Sequence, residues 1–375
     1  MVYKQYADYY DVVIIGNGIA GNSAATAIGQ AVIEKLRVLI ISEEDAPLYS
    51  PCVMGGYICE DINLDKMFLK TRTDYQNEGI DCALGVEIND VALINKKMVL
   101  NSNIVNFGKL IFATGSYPVL PPIQGSQKKG VFFLKTIYDA VKIKFNQARR
   151  AVVVGSGPVG IEVAVALKSK GMDVTIIEFL PRLLPKLLDT EAAQFLHNSL
   201  VEHGINILLN EKVKSINGNS HVTSVLTENN EVPCEIVVLA TGMKPRVDLA
   251  KLCNIEIGRL GGIVVDKFLK TNYDDVYACG DCIESVGAFS RENELSLLWH
   301  NARKQGEIAG YNSIGFKKPY VGVTNIVAIN AFGHFLGSIG YTASDLLSKN
   351  RRAEAVKITQ SKANLWLIEE NGLLV

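Results

Sequence analysis

Val12-Val13-Ile14-Ile15-Gly16-Asn17-Gly18-Ile19-Ala20-Gly21 decides the fold. Four apolar β-formers run into Gly-x-Gly-x-x-Gly and then into a small-residue stretch. That is the order of strand, tight turn and helix in a dinucleotide-binding unit. Gly16 makes the turn, Gly18 lets the backbone approach a pyrophosphate, and Ala20-Gly21 lets the helix lie close on the sheet. The pyrophosphate then rests on unpaired N–H groups at the positive end of that helix. A single loop of this kind also fits a glycine turn in an ordinary α/β protein. Its weight comes from a second copy, Val152-Val153-Val154-Gly155-Ser156-Gly157-Pro158-Val159-Gly160.

An acid closes the next strand after each loop. Arg37-Val38-Leu39-Ile40-Ile41 leads to Glu43, with Glu44 beside it, and Asp173-Val174-Thr175-Ile176-Ile177 leads to Glu178. Such acids accept hydrogen bonds from a ribose. Glu178 favours NADH, because a 2′-phosphate would meet a like charge. Arg182 lies close enough in sequence to keep NADPH open as the less favoured coenzyme. Two dinucleotides held by one chain point to hydride transfer between nicotinamide and flavin.

Composition narrows the class. The 375 residues suffice for two or three domains, and a net charge of −1 argues against a nucleic-acid or polyanion binder. No apolar run approaches the length of a membrane span, and the tyrosine-rich stretch Met1 to Asp11 lacks a signal-peptide pattern. These features lead to the expectation of a soluble cytoplasmic protein. The seven cysteines, Cys52, Cys59, Cys82, Cys234, Cys253, Cys279 and Cys282, are odd in number and scattered, so they make no disulfide framework. Cys279-Gly280-Asp281-Cys282 is formally C-x-x-C but lacks a second pair, and no metal is expected. The histidines His197, His203, His221, His300 and His334 read as structural.

The chain echoes itself once more. Ile111-Phe112-Ala113-Thr114-Gly115-Ser116-Tyr117-Pro118 resembles Val238-Leu239-Ala240-Thr241-Gly242-Met243-Lys244-Pro245, each a comparable distance after a glycine loop. Two copies of one nucleotide-binding fold account for this, with each Thr-Gly turn closing over ligand at the carboxyl edge of its sheet. Val276-Tyr277-Ala278-Cys279-Gly280-Asp281 reads as a buried strand ending in Gly-Asp. A helix is expected from about Glu294 to Ser313.

Two glycine loops, two Ala-Thr-Gly turns and one late Gly-Asp, in this order, resemble the pyridine nucleotide-disulfide oxidoreductases, flavoproteins with two dinucleotide folds. The resemblance runs to about residue 315. It implies an α/β architecture of two Rossmann-like domains with a short C-terminal α+β piece. Residues 1–117 and 246–315 would form a discontinuous FAD domain, 118–245 an NAD(H) domain, and 316–375 a reduced interface domain. It also implies that Ala113, Thr114 and Gly115 contact FAD, that Gly280 and Asp281 hold its ribityl chain, and that Val86 lies beside the adenine. Gly242 would border the nicotinamide. Glu162 resembles the family glutamate near the nicotinamide–flavin contact.

Tyr49-Ser50-Pro51-Cys52-Val53-Met54-Gly55-Gly56-Tyr57-Ile58 decides the branch. Two-cysteine reductases carry C-x4-C here, whereas the next cysteine in this chain, Cys59, stands seven positions on. The register of Cys52 resembles the single-cysteine branch of coenzyme A-disulfide reductases and NADH oxidases. A Cys52 thiolate would hold a sulfenate or a mixed disulfide, and a helix starting near it is expected to activate the thiol. Tyr49-Ser50-Pro51 also echoes the cysteine-independent rubredoxin-reductase and nitrite-reductase-like branch, in which Cys52 would only pack beside the flavin. Two-cysteine reductases pair a histidine near the C-terminus with a glutamate, and neither His300 nor His334 is followed by a glutamate in His-x4-Glu spacing, so thiol–imidazolium chemistry is not expected.

The piece from about Gly315 to Val375 is short for an interface domain. Val321 to Gly337 reads as strands, and Arg351 to Val375 as a further strand with a turn at Asn371-Gly372. The chain is therefore expected to be an FAD-dependent NAD(P)H oxidoreductase reducing a small disulfide, polysulfide or oxygen, alone or as a homodimer. The alternative is an electron-transfer subunit of a larger redox complex, serving a ferredoxin, a rubredoxin or an iron–sulfur subunit.

Overall fold

The apolar runs that precede the two glycine loops become the central strands of two parallel sheets. The computed structural model describes residues 6–31, 36–348, 351, 354–360, 363–370 and 373–374. The chain divides into two compact units. One holds residues up to Ser50 with Phe68–Tyr117 and Met243–Thr324; the other holds Pro51–Met67, Pro118–Gly242 and the residues from Asn325 onward.

In the first unit a seven-stranded sheet is centred on Tyr9–Ile15. Parallel neighbours are Val38–Ser42 and Asn103–Phe112, with Ile80–Leu84 and Val276–Ala278 outside them. A hairpin, Ile88–Ala92 and Lys97–Leu100, extends the sheet antiparallel. Val12, Val13 and Ile14 are all but inaccessible, as central parallel strands covered on both faces must be. The register sets Ile15 opposite Ile41 and Phe112, and Phe112 opposite Ala278. The glycine loop, the Ala113 turn and the Gly280 turn therefore leave the sheet at one carboxyl edge.

The helix Ile19–Ala31 packs on the helix Trp299–Ser313 with almost no side chain between them. A Cβ on Gly306 would come 2.0 Å from the Ala20 carbonyl oxygen, and one on Gly310 2.4 Å from that of Ala24. The second of these helices begins at Trp299; the first residues of the expected helical run form the strand Asn293–Leu295, paired antiparallel to Ile283–Val286.

The second unit repeats the plan in smaller form. Its parallel sheet runs in the order Asn206–Leu208, Asp173–Ile177, Arg150–Val154, Ile236–Leu239, Val131–Phe132. An antiparallel sheet, Ser215–Asn217, Ser224–Leu226 and Glu231–Pro233, covers part of the same core. Two later hairpin strands are Ile326–Ala331 and His334–Ile339, starting beyond the expected Val321-Thr324. Glu354–Gln360, Ala363–Glu370 and Leu373–Leu374 form a three-stranded sheet where one strand was expected before the turn. The turn at Asn371-Gly372 lies outside the described residues. Among the described residues no helix is long and apolar enough to cross a membrane.

Candidate functional site

The two glycine loops are built from the same contacts. Gly16 N–H donates to the Ile41 carbonyl at 2.8 Å, and Gly155 N–H to that of Ile177 at 2.8 Å. Ala113 N–H donates to Ile15, and Ala240 N–H to Val154, both at 2.8 Å. Gly16 has φ +120° and Gly155 φ +100°, a region that side chains disfavour. A Cβ there would come 2.0 Å from the Ala113 oxygen or 2.5 Å from the Ala240 oxygen. The middle glycines differ in kind: beside Gly18 and Gly157 a Cβ would meet nothing within 4 Å. Bare backbone with open space, at the start of helices Ile19–Ala31 and Pro158–Ser169, is what a pyrophosphate requires. The third glycines, Gly21 and Gly160, press on the carbonyls of Gly16 and Gly155.

In the first unit the remaining sequence-predicted residues gather around this edge. Thr114 Oγ1 donates to the Arg246 carbonyl at 2.6 Å, and Arg246 N–H to the Gly115 carbonyl at 2.8 Å, which pins the Ala113-Thr114-Gly115 turn. Gly280, at φ +82°, sits where a Cβ would be 2.8 Å from the Cβ of Ala20, and its N–H donates to buried Gln305. Ser116 Oγ donates to Asp281 at 2.7 Å. Val86 is buried, its N–H bonded to the Ser42 carbonyl. Open backbone, a helix N-terminus and an acid at the Gly-Asp turn together fit FAD.

Sequence reasoning missed three residues here. Arg246 pairs with Glu43 at 2.5 Å across the exposed rim. Asn17 is buried within the loop; it donates to the Ala46 carbonyl and accepts from Asn22 and Tyr75. Gln305 fixes the Gly280 amide. A polar residue at the variable loop position was the one available signal, for Asn17.

In the second unit Glu178 is 8% exposed and Ser156 fully buried. Glu178 Oε2 accepts from both the N–H (2.8 Å) and the Oγ (2.7 Å) of Ser156, and Oε1 accepts from Leu180 N–H at 2.9 Å. Arg182 is engaged within its own loop. Its Nε donates to the Leu188 carbonyl and its Nη2 to that of Pro185, so the guanidinium closes its own loop. Gly242, at φ +111° with open space around it, accepts from Val119 N–H. Val159 stands half-exposed at the helix start. The donor set fits NAD(H).

Cys52 and Glu162 belong to this unit as well. Cys52 is exposed in the 3-10 turn Pro51–Val53, ahead of the helix Met54–Ile58. That helix has five residues and no side-chain cap, and so few aligned peptides make a weak dipole. Activation of the thiol by a helix N-terminus, expected from sequence, is not what the fold provides. The short helix packs instead on Pro158–Ser169, with a Cβ on Gly55 falling 3.6 Å from the Glu162 carbonyl oxygen. Burial alone pushes the Glu162 carboxyl up to about 7, and no hydrogen bond or ion pair reaches it among the described residues. Lys144 ties the other end of the short helix through the Tyr57 carbonyl at 3.1 Å. Cys59 lies 3.1 Å from Asp61, and burial together with that carboxylate pushes its thiol up, the wrong direction for a second nucleophile. Cys279 and Cys282 are fully buried, and burial raises both thiols. Among the described residues no group of three or more His, Cys, Asp and Glu is placed to hold a metal.

Comparison with known proteins agrees with this geometry. The profile of the pyridine nucleotide-disulphide oxidoreductases matches residues 10–306. An NADH oxidase of Methanocaldococcus jannaschii is 32% identical, the match covering 94% of this chain and 80% of the relative. An NAD(P)H coenzyme A polysulfide/persulfide reductase of Pyrococcus horikoshii is 30% identical over 90% of this chain and 77% of its own. An NAD-dependent persulfide reductase from A. fulgidus superposes with a TM-score of 0.91 at 27% identity, covering 96% of this chain and 71% of that one.

Proposed function

The chain belongs to the pyridine nucleotide-disulphide oxidoreductase family, and we propose that it passes electrons from NADH through FAD to a small sulfur–sulfur acceptor by way of Cys52. It is an FAD-dependent NAD(P)H oxidoreductase. When bound at the first glycine loop, FAD would supply the two-electron redox chemistry that links the nicotinamide to the acceptor.

The chain's own residues do the rest. Gly16, Gly18, Ala20 and Gly21 would seat the FAD pyrophosphate. Ala113, Thr114, Gly115, Gly280 and Asp281 would hold the flavin side of it, with Val86 and Glu43 at the adenosine end. Gly155, Gly157, Val159 and Gly160 would seat the NADH pyrophosphate, Glu178 its ribose, and Gly242 and Glu162 the nicotinamide end. The first compact unit is thus the FAD-binding half and the second the NAD(H)-binding half.

The observation that carries the acceptor reading is the exposed Cys52 residue on a turn that leads directly into the short helix Met54–Ile58, whose Gly55 packs against Glu162. A Cys52 thiolate attacks one sulfur of the acceptor, the S–S bond breaks, and one thiolate leaves. The mixed disulfide then holds the other half until an electron pair cleaves it and restores the thiol. The names of the persulfide-reducing relatives support sulfur as the acceptor, and that of the Methanocaldococcus relative keeps oxygen as the second acceptor. The test is the Cys52→Ser variant. NADH-dependent reduction of polysulfide should fall at least 100-fold while NADH-dependent reduction of an artificial dye persists. Equal polysulfide reduction by both proteins would direct attention to a redox-protein partner.

A further inference from the structure

We propose that Ser156, at the variable position of the second glycine loop, is a positioning residue that selects NADH over NADPH by immobilising Glu178. The proposal rests on the reading of this loop as the NADH site. An acid excludes a 2′-phosphate only if it cannot turn away. An exposed glutamate swings toward solvent at little cost, whereas Glu178 is nine-tenths buried and held by three donors.

Two of those donors come from Ser156, both to Oε2. With Leu180 N–H on Oε1, each oxygen is directed, and Oε1 keeps an acceptor position for a ribose hydroxyl. The Ser156 carbonyl, in turn, accepts from Leu184 N–H at 3.1 Å. Leu184 lies at φ +46° in the loop that Arg182 closes through Leu188 and Pro185. One residue therefore joins the glycine loop, the acid and the following loop, in which the Arg182 guanidinium is bonded to two carbonyls. The first loop lacks the device: Asn17 bonds Ala46, Asn22 and Tyr75, while Glu43 reaches an exposed arginine instead.

Calorimetric titration of the flavin-loaded protein with NAD+ and with NADP+ tests this without turnover. In Ser156→Ala the Kd for NAD+ should rise on the order of ten-fold, the loss of one charge-assisted hydrogen bond, while that for NADP+ falls, because the released carboxylate can turn away from the 2′-phosphate. Because Ser156 acts through Glu178, Ser156→Ala should add nothing to Glu178→Gln in the double variant. Equal weakening of both coenzymes, or additive effects, would overturn the proposal. If Ser156→Ala does not fold, hydrogen exchange on the unaltered protein decides. Protection of the 155–182 segment by NAD+ but not by NADP+ supports it, and equal protection overturns it. Failure of the unaltered protein to bind either coenzyme would overturn the underlying reading instead.

Discussion

The two glycine loops share a backbone and differ in how they treat their acids. Both make the same paired amide bonds, the same forbidden approach of a Cβ to the facing Ala carbonyl, and the same open middle glycine. Yet Glu43 is well exposed and paired with an exposed arginine, while Glu178 is buried and triply bonded. The backbone device binds any dinucleotide, so steric necessity keeps it identical in both halves. The acid is where the halves part. On the proposed assignment of FAD to the first loop, a tightly held flavin would need no selection at its ribose. A nicotinamide coenzyme that arrives and leaves each cycle must be told from its 2′-phosphorylated relative.

The sharpest way to break the comparison is to add one methyl group to each loop. Gly16→Ala places a Cβ 2.0 Å from a backbone oxygen that cannot move aside, at φ +120°. Protein recovered should lack flavin and melt far lower, a loss of several kcal/mol or about 10 °C or more. Gly155→Ala meets a 2.5 Å approach and should keep its flavin while losing NAD+ binding by at least 100-fold. Flavin absorbance and NAD+ calorimetry on the two variants read this directly; loss of flavin from both would show that the halves are not independent.

Removing the acids is gentler. Glu178→Ala should weaken NAD+ by about ten-fold or more, since a buried, directed carboxylate is lost. Glu43→Ala should leave flavin retention nearly unchanged, because an exposed ion pair contributes only about 0–1 kcal/mol. Equal losses would erase the distinction drawn here.

The last expected effect concerns Glu162 and is read on stability alone. Its carboxyl is pushed up to about 7 by burial, above its ordinary value near 4.5. Between those two values the folded protein holds a proton that the unfolded chain releases, so this group lowers stability as pH rises through that window. Glu162→Gln should therefore melt a few degrees higher than the unaltered protein at pH 8 and at about the same temperature at pH 4. A constant difference at both pH values would mean the effect is packing, not protonation.

Much of this was legible in the chain because glycine positions are hard steric facts. Gly16, Gly21, Gly155 and Gly160 each face a carbonyl oxygen in the fold, and no other residue type fits there. The Ala113 and Ala240 turns were legible for the same reason, as the carbonyls those glycines face. What was not legible depends on side-chain reach across loops. Arg182 is near Glu178 in sequence, and only the conformation of residues 184–188 reveals that it serves two carbonyls. Arg246 meets Glu43 across about two hundred positions. The stretch Pro51–Met67 joins the second unit through packing of its short helix on Pro158–Ser169, a contact that no local periodicity encodes. A helix starting near Cys52 was expected, but the fold gives only the five residues Met54–Ile58, with two weak helix formers, Gly55 and Gly56, among them.

The central claim is that electrons from NADH pass through the flavin to Cys52. The most direct measurement oxidises the protein with a small disulfide, removes the excess, and titrates it anaerobically with NADH while following flavin absorbance. Full reduction should take about two NADH per flavin in the unaltered protein and about one in Cys52→Ser, the difference being the pair stored at the cysteine. One NADH per flavin in both proteins would contradict the account and leave Cys52 as a packing residue.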